Sequence, residues 1–121
     1  MSLGRTEVRS ELLNDFASLM RQELEELAAQ SATSAQSRQP VELDQQSVGR
    51  ISRVDAMQVQ ALAQTVEKRR QARVALLHRA LRKIETGEYG VCEGCEEDIA
   101  EGRLRVDPAA RHCVRCAEHA R

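Results

Sequence analysis

Four cysteines fall in two pairs, Cys92-Glu-Gly-Cys95 and Cys113-Val-Arg-Cys116, with 17 residues between the pairs. A C-x-x-C segment can curl so that both sulfurs point at one place. Two such turns about 15–20 residues apart supply the tetrahedral four-thiolate shell that Zn²⁺ prefers. The spacing therefore predicts one structural Zn²⁺ held by Cys92, Cys95, Cys113 and Cys116. With four protein ligands, no coordination position is left for an activated water, so the expected role is not catalytic. The competing use of four cysteines is two disulfides. The first residues contain Arg5, Glu7 and Arg9 and no apolar run, so no secretory leader is read there and a reducing, cytoplasmic setting is expected. A thioredoxin-like redox pair would need one motif in a βαβ setting rather than two in a charged segment.

The residues around the pairs suit a small metal-nucleated fold. Gly94 can supply the positive φ that a tight sulfur-wrapping turn often uses. The second pair lacks glycine and is read as the first turn of a short helix running into Ala117–Arg121, whose amides favour thiolates. Ile99, Leu104 and Val106 are expected to form a small apolar core, and Asp107-Pro108 marks a turn. Four thiolates on Zn²⁺ carry a net charge of −2, which Arg103, Arg105, Arg111, His112 and Arg115 are placed to compensate. His112 and His119 are read as bystanders.

What precedes the cysteines must position them. The 121-residue chain is 41% hydrophobic but only 2% aromatic, so a compact globule built on large rings is excluded and long helices are favoured. Val8, Leu12, Phe16, Leu19 and Leu27 recur at helical spacing, with Leu13, Met20 and Leu24 widening the stripe. A small polar segment from Ala28 could fray or continue as weak helix until Pro40, which forces Gln39 out of helical geometry and stops it; the segment is read as a loop or tip. A second helix is expected to begin near Asp44 or Ser47. Its stripe runs Val48, Ile51, Val54 or Asp55, Val59, Leu62, Val66, Val74, Leu77, Leu81 and Ile84, and it stops at Gly87. About 40 helical residues would span roughly 60 Å. The fold class expected is mainly α: an antiparallel two-helix coiled-coil hairpin over 1–86, with its tip at about 31–46, followed by a four-cysteine zinc finger over 87–121. A turn centred near Pro40 places Leu27 across from Val54, Leu13 from Val66 and Val8 from Val74. Leu77, Leu81 and Ile84 are then left for the zinc segment, with Tyr89 and Val91 at the junction.

The string Gly87-Glu-Tyr-Gly-Val-Cys-Glu-Gly-Cys95, then Ile99, Arg103-Leu104, Pro108 and Cys113-Val-Arg-Cys116, resembles the DksA/TraR family of bacterial zinc-finger proteins. The helical hairpin before it fits as well. The resemblance implies a transcription regulator that binds RNA polymerase rather than DNA. Its coiled coil would enter the secondary channel and its zinc globule would dock at the rim, often in partnership with the alarmone ppGpp at the polymerase interface. The best-known members carry Asp-x-x-Asp-x-Ala at the coiled-coil tip. This chain lacks that string, and the nearest candidates are Asp44 and Asp55, the latter followed by Ala56. Glu96 and Asp98 stand where many relatives have glycine and proline.

The rival class is a GATA-like nucleic-acid-binding finger, which shares the C-x2-C-x17-C-x2-C spacing. Such a finger needs a basic tail, whereas only Glu118, His119 and Arg121 follow Cys116 with charge. The net charge of −1 also gives no nucleic-acid footprint. The basic run Lys68-Arg-Arg-Gln-Ala-Arg73, with Arg79, Arg82 and Lys83, could touch phosphates, line a solvated helix face or meet an acidic protein groove. Direct sequence-specific DNA binding is not expected. No nucleophile–base pair, phosphate-cradling glycine loop or open metal site points to an enzyme, and no apolar stretch is long enough for a membrane span.

Overall fold

The computed structural model describes residues 2–40 and 50–119, with side chains over 10–40 and 53–119. Among them lie α1 (Ser2–Thr33), α2 (Ala35–Arg38), α3 (Arg50–Thr86), α4 (Glu101–Val106) and α5 (Val114–His119). The described residues contain no strand, only an antiparallel bridge between Val91 and Asp98. The chain is mainly helical, with the cysteines gathered near its C-terminal end. By packing it divides into two compact units: Met1–Leu24 with Ala75–Arg121, and Glu25–Val74.

In the unit Glu25–Val74, the polar segment before Pro40 takes the helical course its composition allowed rather than opening into a loop. No glycine or proline interrupts it before Pro40; the helix breaks once at Ser34, with φ −90° and ψ 2°, between α1 and α2, and the backbone turns extended at Gln39, with φ −68° and ψ 152°. Half-buried positions recur at Leu27, Ser31, Ser34 and Arg38, and on α3 at Ala56, Gln60, Ala63, Glu67, Arg70 and Val74. That is the alternating four–three spacing of a coiled-coil seam, here with polar residues at its centre. Ser31 Oγ donates to Glu67 at 2.8 Å, and the Gln64 amide donates to the Arg38 carbonyl at 3.5 Å. Chain direction is therefore antiparallel across the seam.

Extending the Ser31–Glu67 pairing brings Leu27 opposite Gln71–Val74, not Val54 as the sequence suggested. The displacement follows from Ser31–Arg38 being helix rather than turn. Leu62 and Val66, expected in the seam, are 66% and 36% exposed. The expected helix starts at Asp44 and Ser47 lie outside the described residues, as does the side chain of Val8.

Glu67 is the hub of the polar seam. Its carboxylate accepts from Ser31, from Gln71 Nε2 at 2.8 Å and from Arg70 Nη1 at 2.8 Å, while Arg38 Nη1 stands 3.5 Å away. Arg70 Nη1 also donates to Ser34 Oγ at 3.0 Å. Hydrogen bonds from Gln71, Ser31 and Arg70 hold the Glu67 carboxyl down to about 2, against an ordinary value of 4.5. A carboxyl whose folded pKa is depressed stabilises the fold above its unfolded pKa and loses that contribution as pH falls towards the folded value. Acidification from pH 4.5 to 2 should therefore loosen this unit. An acid titration of helical circular dichroism checks it: Glu67→Gln should flatten the wild-type loss over that range, and an unchanged titration would count against the hub.

In the other unit, Phe16, Ala17 and Met20 of α1 are buried with Leu77 and Ala80 of α3 and with Tyr89, Ile99, Leu104 and Ala109. The Phe16 and Tyr89 rings lie 5.9 Å apart between centroids, and the Tyr89 hydroxyl donates to the Pro108 carbonyl at 2.7 Å. Burial pushes the Tyr89 phenol well above its ordinary range, with Asp107 adding to the shift. Helix α1 thus contributes to the core that the sequence reading left to α3 and the zinc segment alone. Leu19, placed in the α1 stripe, is exposed, and Val106 is 87% exposed rather than in the finger core. The reason for the latter is phase. Residues 104 and 106 of a helix point about 200° apart, so burying Leu104 turns Val106 outward.

Candidate metal centre

Two differently built turns bring the sulfurs together. The first follows Tyr89-Gly90, where Gly90 holds φ +85° and its carbonyl accepts from the Ile99 amide at 2.7 Å. The Cys92 amide donates to the Glu97 carbonyl at 2.8 Å, and the Glu96 amide returns to the Cys92 carbonyl at 2.9 Å. The chain between Cys92 and Glu97 is thereby closed into a loop. The Glu93 amide donates to the Arg111 carbonyl at 2.8 Å, which ties this loop to the segment leading into the second pair. The second turn is the start of α5, as expected. The Cys116 amide donates to Cys113 Sγ at 3.4 Å and the Ala117 amide to the Cys113 carbonyl at 2.9 Å, so Cys113 caps the helix with its own sulfur.

All four Sγ atoms lie within 4.8 Å of one another, and Cys95 Sγ and Cys113 Sγ are 3.8 Å apart. A tetrahedron with Zn–S bonds of about 2.3 Å has S···S edges of about 3.8 Å. Cys92, Cys95, Cys113 and Cys116 therefore fit a single Zn²⁺ in size as well as in donor type. Backbone amides are already aimed at the sulfurs, from Gly94 and Cys113 to Cys92 Sγ at 3.3 Å each. Amide bonds, led by that of Cys95, draw the Cys92 thiol down to about 6. Its neighbours act the other way on Cys116, whose thiol is pushed up to about 12, first by Cys113 and then by Cys92. Four sulfurs this close cannot all ionise without a cation, and a bound divalent ion removes the conflict. The cofactor is one structural zinc.

Of the cations proposed to compensate the cluster, Arg115 is engaged with it. The Cys95 sulfur and Glu97 raise its pKa, and its guanidinium lies 3.6 Å from Glu97. Arg103 Nε instead donates to the His112 carbonyl at 2.6 Å, and Arg105 pairs with Glu101. Sequence reasoning missed Glu93. Its two carboxylate oxygens receive Arg79 Nη2 at 2.9 Å and Lys83 Nζ at 2.8 Å, and the Lys83 hydrogen bond leads the causes that lower its pKa. The basic pair at i and i+4 on α3 is thus a clamp on the first zinc loop. The signal was present in that spacing, but its acidic partner lies ten residues or more along the chain.

Gly94 is not at positive φ; the left-handed residue of the loop is Glu96, at φ +64°. Glycine serves at position 94 for space, since a Cβ there would sit 3.1 Å from Cys116 Sγ. Two substitutions separate these roles. Glu96→Gly should stabilise the finger by about 1 kcal/mol by removing the left-handed penalty. Gly94→Ala should weaken zinc binding, because the intruding methyl meets a fixed ligand sulfur rather than a mobile side-chain end. Competition of each variant with a zinc chelator measures both, and a Gly94→Ala protein holding zinc like wild type would refute the steric role.

The two candidate tip carboxylates stand apart from this centre. Asp44 lies outside the described residues. Asp55 is exposed on α3 in the unit Glu25–Val74.

Residues 87–120 match the family model of the prokaryotic dksA/traR C4-type zinc finger. An uncharacterized protein of Aquifex aeolicus (strain VF5) is 31% identical over 110 residues, covering 91% of this chain and 71% of that protein. Transcription factor DksA2 from Pseudomonas aeruginosa superposes with a TM-score of 0.73 at 18% identity, over 91% of this chain and 83% of the other. At that identity the superposition shows a shared fold. Among the described residues, no helix is long and apolar enough to cross a membrane.

Proposed function

This chain belongs to the DksA/TraR family of C4-type zinc-finger proteins, and from that membership we propose that it regulates transcription by binding RNA polymerase through the secondary channel. The family is of transcription-factor type and is not an enzyme family. The observation that carries the proposal is the match over residues 87–120, in a chain whose preceding residues form two long helices. In this reading residues 1–86 act as the hairpin probe and 87–121 as the zinc finger that docks at the rim, in the cytoplasm. Cys92, Cys95, Cys113 and Cys116 hold the zinc that keeps the finger rigid. Asp44 and Asp55 are the acidic groups available to the hairpin for work near the polymerase active centre, where bound cations dominate the local electrostatics. ppGpp is a candidate third component at the polymerase interface. Direct DNA reading in the GATA manner is not favoured, as the family match speaks against it.

The test is a pull-down on purified RNA polymerase, competed with another secondary-channel protein. Binding that the competitor displaces is the expected result. Asp44→Asn and Asp55→Asn should leave affinity nearly intact while changing transcription from sensitive promoters. Tight binding to duplex DNA with a steep salt dependence, and none to polymerase, would replace this reading with the nucleic-acid one.

A further inference from the structure

Helix α3 carries a second seam in the unit Glu25–Val74, displaced by one residue from the seam that faces α1 and α2. Asp55, Val59, Leu62, Val66 and Arg69 recur at steps of four, three, four and three, which is the spacing of a heptad stripe. All five are exposed, the apolar three to 60% at Val59, 66% at Leu62 and 36% at Val66. A solvent face needs no such ordering. Single exposed apolar residues are ordinary, but three in register, bounded by opposite charges, form a surface with a direction.

The order of that stripe is self-complementary. It reads acidic, apolar, apolar, apolar, basic. When two copies are laid antiparallel about a two-fold axis at Leu62, Leu62 meets Leu62, Val59 meets Val66, and Asp55 meets Arg69, with each unlike pair occurring twice. A two-fold interface demands this property, since the same patch must satisfy itself after rotation. In a parallel pairing the carboxylates would face each other and so would the guanidinium groups, which is destabilising. We infer that this face of α3 is the interface of an antiparallel homodimer, and that its partner is a second copy of this chain. The patch spans little more than two heptads and lacks aromatic anchors, so the dimer is weak and concentration-dependent. Dimerisation covers Asp55 and the flank of α3, and so competes with any larger partner that uses that face. The inference itself does not rest on polymerase binding.

Sedimentation equilibrium of the zinc-loaded 121-residue chain, across a concentration series reaching about 1 mM, tests the inference, since even a millimolar association would show there. A monomer–dimer equilibrium is expected. Leu62→Glu should weaken it by at least about 100-fold, because the two-fold brings two carboxylates together in an apolar layer. Leu62 is exposed, so the monomer's helical circular dichroism should not change. Asp55→Arg alone and Arg69→Asp alone should each weaken association by about tenfold, and the double variant should restore it, as only a reciprocal pairing can. A chain that stays monomeric throughout the series overturns the inference. So does a dimer indifferent to Leu62→Glu, or one in which the double reversal is no better than the singles. If the stripe is instead covered by another part of the same chain, the wild type is monomeric and Leu62→Glu lowers its thermal midpoint, which also overturns it.

Discussion

Chelation of zinc should abolish the ordered finger while sparing most of the helical circular dichroism. α1 and α3 account for 32 and 37 of the 121 residues and draw their hydrogen bonds from within themselves, so the far-UV signal is mostly theirs. The finger has no such reserve. Its own buried side chains are few, chiefly Tyr89, Cys92, Ile99, Leu104 and Ala109, and its two short helices have six residues each. A helix that short is unstable alone. Structural zinc contributes on the order of 10 kcal/mol or more to a small domain, comparable with the entire stability of an ordinary fold. Tyr89 is the chain's one tyrosine, and there is no tryptophan, so near-UV dichroism and tyrosine emission report on this centre directly. Loss of the metal should release Tyr89 from Pro108 and Phe16, and Cys92→Ser should do the same without a chelator. A chelated protein that kept its tyrosine signal would show that zinc is not what holds the finger.

That centre was legible in the sequence because its constraint is local. Ligand spacing fixes the donor set whatever the rest of the chain does, and four sulfurs within 4.8 Å are what two C-x-x-C turns were expected to give. The turn at Asp107-Pro108 was legible for the same reason, with the Ala109 amide bonded to Asp107 Oδ1 at 3.1 Å. The positive-φ position was not, because backbone strain at Glu96 is decided by how the loop closes between Cys92 and Glu97, and a glycine nearby drew attention to the wrong residue. Helix register failed for a further reason. Hydrophobicity was taken to mark the seam, but in the unit Glu25–Val74 the seam is polar and the apolar stripe faces out. Ser31, Ser34, Glu67 and Arg70 bond to one another, with Arg70 Nη1 alone bonded to both Glu67 and Ser34, while Arg38 reaches Glu67 through Nη1 and keeps its buried Nε without a partner; a polar seam paired in this way can specify a register as leucine does. Period alone does not distinguish two heptads offset by one residue.

The contrast has a large mutational consequence. Leu77→Asp should destabilise the protein severely and Leu62→Asp hardly at all, although sequence hydropathy treats the two leucines alike. Leu77 and Met20 are each 0% exposed, in the unit built from Met1–Leu24 and Ala75–Arg121, where no buried polar or charged residue is present among the described residues. A carboxylate at position 77 would be desolvated among apolar neighbours with no cation to meet it, at a cost of at least about 4 kcal/mol. Even Leu77→Ala or Met20→Ala should cost about 3 kcal/mol through the lost burial and the cavity left behind. At position 62 the side chain already stands in water, so Leu62→Asp in dilute solution should fall within about 0.5 kcal/mol of wild type. Urea unfolding of the four variants, followed by helical circular dichroism with zinc present, gives the comparison. Similar losses for Leu62→Asp and Leu77→Asp would mean that the apolar stripe through Leu62 is a core seam after all, and the register fixed by Ser31 and Glu67 would have to be abandoned. A large loss at 77 with none at 62 would place the hairpin's apolar stabilisation in the finger-bearing unit. The polar hub at Glu67 would then be left to set alignment in the other.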